Sequence, residues 1–315
     1  MIYAISDSEL QALVACAGYT CKTISPLYDY IDSSKINYGK TFEERAENLR
    51  NLGLMSFESK DNYMLTAEGS LMLKVLLQPD CVAAIGKKKA GKDLLYALKR
   101  ENIWYAITHI RDKKLYLICA YFTSENLTKW LDEQFLDGYL PDKPAAQKID
   151  LTLSYEEWYM FLASQFLFDK REKNSSEPNE YFTIKDIFES KAFVFIKNAF
   201  DELGIDNNKE AIETFFNEQS YENAKKIKQQ LAQKGVFELY ENAEGHEVLS
   251  YSDEAISWLD NDFLIDTIYF NFKKNDSEYT VMFCLRRTGI TAIFDRGTDI
   301  RIMSTNQIPW EFYMR

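Results

Sequence analysis

Two stretches of the chain set apolar residues at the same helical spacing behind the same polar opening. Ile5-Ser6-Asp7-Ser8-Glu9-Leu10-Gln11-Ala12-Leu13-Val14-Ala15 lies without a gap on Leu153-Ser154-Tyr155-Glu156-Glu157-Trp158-Tyr159-Met160-Phe161-Leu162-Ala163. Each opens with Ser-x-x-Glu, the capping box in which a serine hydroxyl and a glutamate carboxylate satisfy the first unpaired amides of a helix. A second pair of blocks follows in the same order. Leu49-Arg50-Asn51-Leu52-Gly53-Leu54 matches Leu231-Ala232-Gln233-Lys234-Gly235-Val236, and Leu65-Thr66 matches Leu249-Ser250 after a spacing that a hairpin loop lengthens in the second copy. The chain therefore reads as a duplication, and its function belongs to surfaces of the repeated scaffold rather than to a lone residue.

Periodicity and turn residues predict the elements around these blocks. In the first half, a helix over 41–52 ends at Gly53. A hairpin follows, with strands over 54–57 and 63–65, and then a helix with Leu71, Met72, Val75 and Leu76 on one side runs to Pro79. This is a winged-helix-like unit. A short helix is expected over 94–100, two strands over 104–110 and 115–122, and a helix over 124–135. Asp137 to Pro144 holds two prolines and a glycine and reads as a linker, dividing the chain into a first half (1–140), a linker (141–150) and an elaborated second half (151–315).

The second half repeats the plan. A charged loop is expected over 169–180, helices over 184–202 and 209–235, a wing at Phe237–Tyr240 and Glu247–Leu249, and a helix holding Ala255, Ile256 and Leu259. Strands over 264–272, 279–286, 289–294 and 300–303 then form a meander. A two-stranded hairpin alone is marginal, so the hairpins of the two halves are expected to meet in one antiparallel sheet.

Composition narrows the function classes. With 315 residues, 46% hydrophobic and 27% charged, the chain is a globular one with room for two cores. Its 21 Phe and 20 Tyr are mostly core, with a share suited to protein interfaces. The net charge of −12 opposes duplex DNA, which asks for a basic face. The five cysteines form no CxxC pair and read as reduced thiols. With no basic, apolar leader and no run long enough to cross a bilayer, the expected location is the cytoplasm, without membrane insertion.

None of the candidate chemical motifs is complete. Gly86-Lys87-Lys88-Lys89-Ala90-Gly91-Lys92-Asp93 ends in an aspartate where a phosphate-binding loop needs a Ser or Thr for magnesium, and reads as a solvated lysine turn. The only two histidines are separated, His109 in a predicted strand as a packed or hydrogen-bonded residue and His246 in a wing turn facing solvent. Glu43-Glu44 and Glu156-Glu157 fall in first helical turns and suit the helix dipole. No catalytic residue, metal site or cofactor is implied. The lysines Lys225, Lys226, Lys228 and Lys234 before the second wing keep a tandem winged-helix DNA-binding regulator as the alternative function.

The order of features resembles the EspG family of type VII secretion chaperones. The resemblance rests on the capped first helix, the helix ending in Leu49-Arg50-Asn51-Leu52-Gly53-Leu54, the wing, the helix Leu71-Met72-Leu73-Lys74-Val75-Leu76-Leu77-Gln78-Pro79, and Trp104-Tyr105-Ala106-Ile107 opening a hairpin. It spans roughly Ile5 to Leu136, and more loosely the second half. It implies an α+β fold of two pseudo-symmetric halves, each winged-helix-like with a β-hairpin, sharing a central antiparallel sheet flanked by helical bundles. It also implies a non-enzymatic cytosolic factor whose partner is a helical secreted substrate or a secretion-system component. The meander offers the expected contact surface, with Tyr279, Phe294, Ile302 and Trp310 as its candidate protein-binding residues.

Overall fold

The computed structural model describes residues 2–28, 40–59, 62–87, 94–110, 113, 115–121, 123–141, 149–172, 221–241, 245, 247–252, 264–275 and 277–314. The expected helices over 184–202 and 209–220, the helix with Ala255, Ile256 and Leu259, most of the charged loop, His246 and the end of the lysine turn lie outside them. The first half contains β1 (Ile2–Ser6), α1 (Asp7–Ala17), α2 (Lys40–Asn51), β2 (Met55–Ser59), β3 (Asn62–Leu65), α3 (Ala67–Leu77), β4 (Cys81–Lys87), β5 (Leu95–Arg100), β6 (Ile103–Ile110), β7 (Leu115–Tyr121) and α4 (Ser124–Phe135). There follow β8 (Asp150–Leu153), α5 (Tyr155–Glu172), α6 (Tyr221–Gln233), β9 (Phe237–Glu241), β10 (Glu247–Tyr251), β11 (Leu264–Lys274), β12 (Ser277–Arg286), β13 (Gly289–Asp295), β14 (Ile300–Thr305) and α7 (Trp310–Tyr313).

These elements make two compact units. Unit 1 is Met1–Leu140 with Asp266–Leu285 and Gln307–Arg315; unit 2 is Pro141–Ile265 with Arg286–Asn306. In unit 1 the strands run in the order β1-β7-β6-β5-β4-β11-β12. The pairing that brings strands from both halves of the sequence into one sheet is antiparallel β4–β11, with Ile85 opposite Phe270 and Ala83 opposite Phe272. The molecule is thus a mixed α/β protein with a large antiparallel sheet. In unit 2 the order is β13-β14-β8, and β9 pairs with β10 as a separate wing.

The expected helix over 94–100 is the strand β5. Leu-Tyr-Ala-Leu-Lys-Arg suits a helix by local propensity. β4 and β6 nevertheless claim its backbone from both sides, with Ala97 opposite Ala83 and Ala106. Such small residues let central strands carry packing on both faces. β4 itself is buried along nearly its whole length, so its unbroken apolar run Cys81–Ile85 is that of an interior strand. β1 and β8 are also strands that periodicity missed, because each is short and runs directly into a helix cap.

The sequence repeat recurs as hydrogen bonds. Ser6 caps α1, accepting the Glu9 amide while the Glu9 carboxylate takes the Ser6 amide at 2.7 Å. Ser154 and Glu157 repeat this at the start of α5, with the same 2.7 Å bond from the Ser154 amide. α2 and α6 both end in a Schellman turn. Gly53 N–H reaches Arg50 O at 2.8 Å and Leu54 N–H reaches Leu49 O at 2.9 Å; Gly235 reaches Ala232 O at 3.0 Å and Val236 reaches Leu231 O at 2.9 Å. Gly53 and Gly235 hold φ of 75° and 73°, the left-handed conformation that glycine adopts without penalty.

A hydroxyl then closes each wing on its glycine. Thr66 Oγ1 donates to Gly53 O at 2.7 Å and Ser252 Oγ to Gly235 O at 2.6 Å. The structural partner of Thr66 is therefore Ser252 rather than Ser250. The second wing is longer than the sequence match indicated.

Candidate protein-binding site

The residues expected to form the contact surface divide between the units. In unit 1, Trp310 is completely buried. α7 lays its indole on Phe270 and Phe283, with ring centroids at 6.1 and 5.8 Å, and its Nε1 donates to Asp132 Oδ1 at 2.7 Å. Tyr279 is half-buried beside it. It packs on Phe272 at 5.2 Å, donates its hydroxyl to Tyr313 O, and has its pKa pushed up to about 12 by burial and then by Tyr313. In unit 2, Ile302 is completely buried between Ile293 and Leu151 in register, while Phe294 is half-buried opposite Arg301. Ile302 and Trp310 are thus core side chains that support a surface from beneath, and Tyr279 and Phe294 are the two of the four that reach solvent.

Other apolar side chains are more open. Met64 on β3 and Tyr240 on β9 stand exposed on the two wings, and Ile2 on β1 is 70% exposed. Sequence periodicity passed over Met64 and Tyr240, since a wing strand alternates and either face of it can be the solvent face. The signal that could have found them is the shortness of the wings, which bury only one side.

Two of the four lysines in and just after α6 have carboxylate partners. Lys228 is buried and bonded to Glu247, and burial followed by the nearby Lys225 ammonium pushes its pKa down. Lys234 donates to Glu157 Oε2 at 2.5 Å and to the Thr152 carbonyl at 2.8 Å. Lys225 and Lys226 remain exposed. His109 sits as expected of a packed histidine, stacked on Tyr116 at 4.4 Å with Nε2 3.1 Å from Asp7 Oδ1. Lys87, from the lysine turn, donates to Phe135 O at 3.2 Å and faces Asp266 at 3.8 Å.

Among the described residues, no three or more His, Cys, Asp or Glu side chains are grouped to hold a metal ion, and no helix is long and apolar enough to cross a membrane. A surface cavity of 380 Å³ in unit 1 is lined by Lys99, Trp104, Thr123, Glu311 and Met314 among others, and Lys99 lies over the Trp104 ring at 5.4 Å.

The chain matches no protein-family model and no curated protein. Among solved structures it is similar to the Mycobacterium tuberculosis type VII secretion system chaperone EspG5 in complex with a PE25-PPE41 dimer. That match has 9% identity, covers 97% of this chain and 91% of that chain, and has a TM-score of 0.47.

Proposed function

We propose that the chain is a non-enzymatic, cytosolic protein-binding factor, a chaperone or adaptor for a helical substrate of type VII secretion, built as two halves of one plan. The observation that carries this reading is that the elements behind the resemblance to EspG chaperones stand in the expected order: the capped α1, α2 closing at Gly53, the β2–β3 wing, α3 stopping before Pro79, and β6 with Trp104 as its second residue. The apolar side chains exposed on both wings, Met64 and Tyr240, and the half-buried Tyr279 and Phe294 supply contact area of the kind protein interfaces use. The tethering of Lys228 and Lys234 to carboxylates leaves Lys225 and Lys226 as the two exposed lysines of the four, a small basic face for a phosphate backbone.

Co-expression with small helical proteins encoded beside a type VII secretion ATPase tests the reading. One of them is expected to co-elute with this chain on size exclusion and to gain solubility from it, and Met64→Asp or Tyr240→Asp is expected to weaken that complex. Gel shifts at low salt are expected to show no DNA complex. Absence of co-elution with every such protein sinks the reading, and a salt-sensitive DNA shift transfers it to the regulator class.

A further inference from the structure

We propose that the outer edge of β1 receives an extended segment of another protein, which pairs with it as an added antiparallel strand. The register fixes which backbone groups face outward. Glu101 and Asn102 form a two-residue loop between β5 and β6, so the flanking pair Arg100 and Ile103 exchanges both of its hydrogen bonds. Alternation then points Trp104, Ala106 and Thr108 to β7, where they meet Tyr121, Cys119 and Leu117. Tyr116 and Ile118 therefore face β1 and bond to Ile5 and Tyr3, leaving the amides and carbonyls of Ile2 and Ala4 pointing away from the sheet. The cap agrees, since the Ser6 amide, of the same parity, turns outward to Glu9.

Unit 2 shows what a closed version of this edge looks like. There Ile149 and Ser304 bond to each other, and the Ser154 amide turns outward to Glu157, so Thr152 carries the outward carbonyl. Lys234 donates to that carbonyl at 2.8 Å, and Asp150 and Arg301 form a two-bond ion pair on the same strand pair at 2.8 and 2.7 Å. Charge and a lysine on an edge are the usual guards against strand addition. Counting back from the cap serine, Ala4 is the counterpart of Thr152. Counting back from the Schellman glycine, Leu52 is the counterpart of Lys234. β1, Ile-Tyr-Ala-Ile-Ser, has no charge and no proline, and among the described residues no side chain or strand takes the Ile2 and Ala4 groups.

The occupant is another protein rather than a second copy. Two copies of net charge −12 repel each other, whereas a segment carrying basic residues is drawn to this acidic chain. A fitting segment has small or β-branched residues opposite Ile2 and Ala4 and a basic residue before them, facing the half-exposed Asp7. The inference needs only the β1 edge and stands apart from the helical-substrate reading.

The probe is a synthetic peptide, Lys-Lys-Thr-Val-Thr-Ile-Thr, added to the full-length protein and followed by residue-resolved amide exchange. The Ile2 and Ala4 amides are expected to exchange freely alone and to slow at least about ten-fold with saturating peptide, the effect of a formed hydrogen bond. Two variants report independently. Ala4→Pro removes an outward amide without touching the β7 pairing, and Leu52→Lys places an ammonium where unit 2 has one. Both are expected to weaken peptide binding about ten-fold or more, the worth of one or two hydrogen bonds, Ala4→Pro at unchanged melting temperature and Leu52→Lys with a lowered one, because the Leu52 side chain packs against the core. An N-methylated peptide that binds equally well, no slowing at Ile2 and Ala4, or a dimer that Ala4→Pro dissolves each overturns the proposal, the last by assigning the edge to a second copy.

Discussion

The two capped helices are held by the same backbone device and by different side chains. Glu9 is bonded to the amide of Asn48 on α2, whereas Glu157 is bonded to the ammonium of Lys234 just past the end of α6. Both carboxylates are largely buried, and both tie the first helix of a unit to the helix that precedes its wing. What the two units have in common is the backbone geometry: cap, Schellman turn and glycine-bound hydroxyl. The side-chain anchor can move by a turn of helix and change from amide to ammonium. That change matters beyond the anchor, because the lysine that holds Glu157 also donates to the outward Thr152 carbonyl of β8, whereas among the described residues no side chain takes the outward groups of β1.

The largest effect is expected where the first unit has a constraint of its own. A Cβ on Gly69 would stand 2.1 Å from Leu54 O, and that carbonyl is already held by the Thr66 amide at 3.1 Å. Alanine favours a helix over glycine by about 1 kcal/mol. The clash outweighs that, and Gly69→Ala is expected to cost about 3 kcal/mol or more, measured by urea unfolding. A neutral result would mean that α3 is free to move from the wing.

Next come the two anchors. Glu157→Gln removes the charge facing Lys234 while keeping the shape. With Glu157 buried and Lys234 about one-third exposed, a loss of about 2–3 kcal/mol is expected, below the figure for a wholly buried pair. Glu9→Gln faces a neutral amide and is expected to cost about 1 kcal/mol. Equal losses in the two variants would show that the ammonium contributes no more than the amide, and the comparison between units would reduce to packing.

Gly53→Ala and Gly235→Ala should then give matching, smaller effects. Neither glycine has an atom within 4 Å of an added Cβ, so each substitution feels only the left-handed backbone, at about 1 kcal/mol. A difference greater than about 0.5 kcal/mol, the usual limit for independent equivalent sites, would mean that the two Schellman turns are not doing the same job.

How much of this was legible in the chain follows from what each signal measures. Ser-x-x-Glu and Leu-Gly-Leu are local: the residues that specify the cap and the turn are the residues that form them, and α4 was placed at its observed bounds, Ser124–Phe135, for the same reason. β5 was not legible because its strand character comes from Ala83 and Ala106 on its neighbours, outside any window of its own sequence. Trp310 and Ile302 looked like contact residues because apolar character marks a core and an interface alike. Only the packing on Phe270 and Phe283, and between Ile293 and Leu151, separates the two. The difference between the β1 and β8 edges was hidden most completely, since it lies in Leu52 standing where the second Schellman turn has Lys234, two positions with no local signal to link them.

The smallest effect concerns pH and the two edges. Asp150 has its pKa lowered, first by the hydrogen bonds from Arg301 and also by the Arg301 and Arg296 charges. A carboxylate with a depressed folded pKa contributes its stabilisation above the ordinary carboxylate value of about 4, and loses it as pH falls through the depressed value. Asp150 is exposed, so global stability should hardly register the change. Local exchange should: as pH falls below the ordinary carboxylate value of about 4 the amides of β8 are expected to lose protection relative to those of β1, whose strand holds no titrating ion pair. Asp150→Asn should give the unprotected β8 at every pH and abolish that relative change. If β1 and β8 instead loosen together in the wild type, the Arg301 pair is not what guards the second edge, and the guard is Lys234 alone.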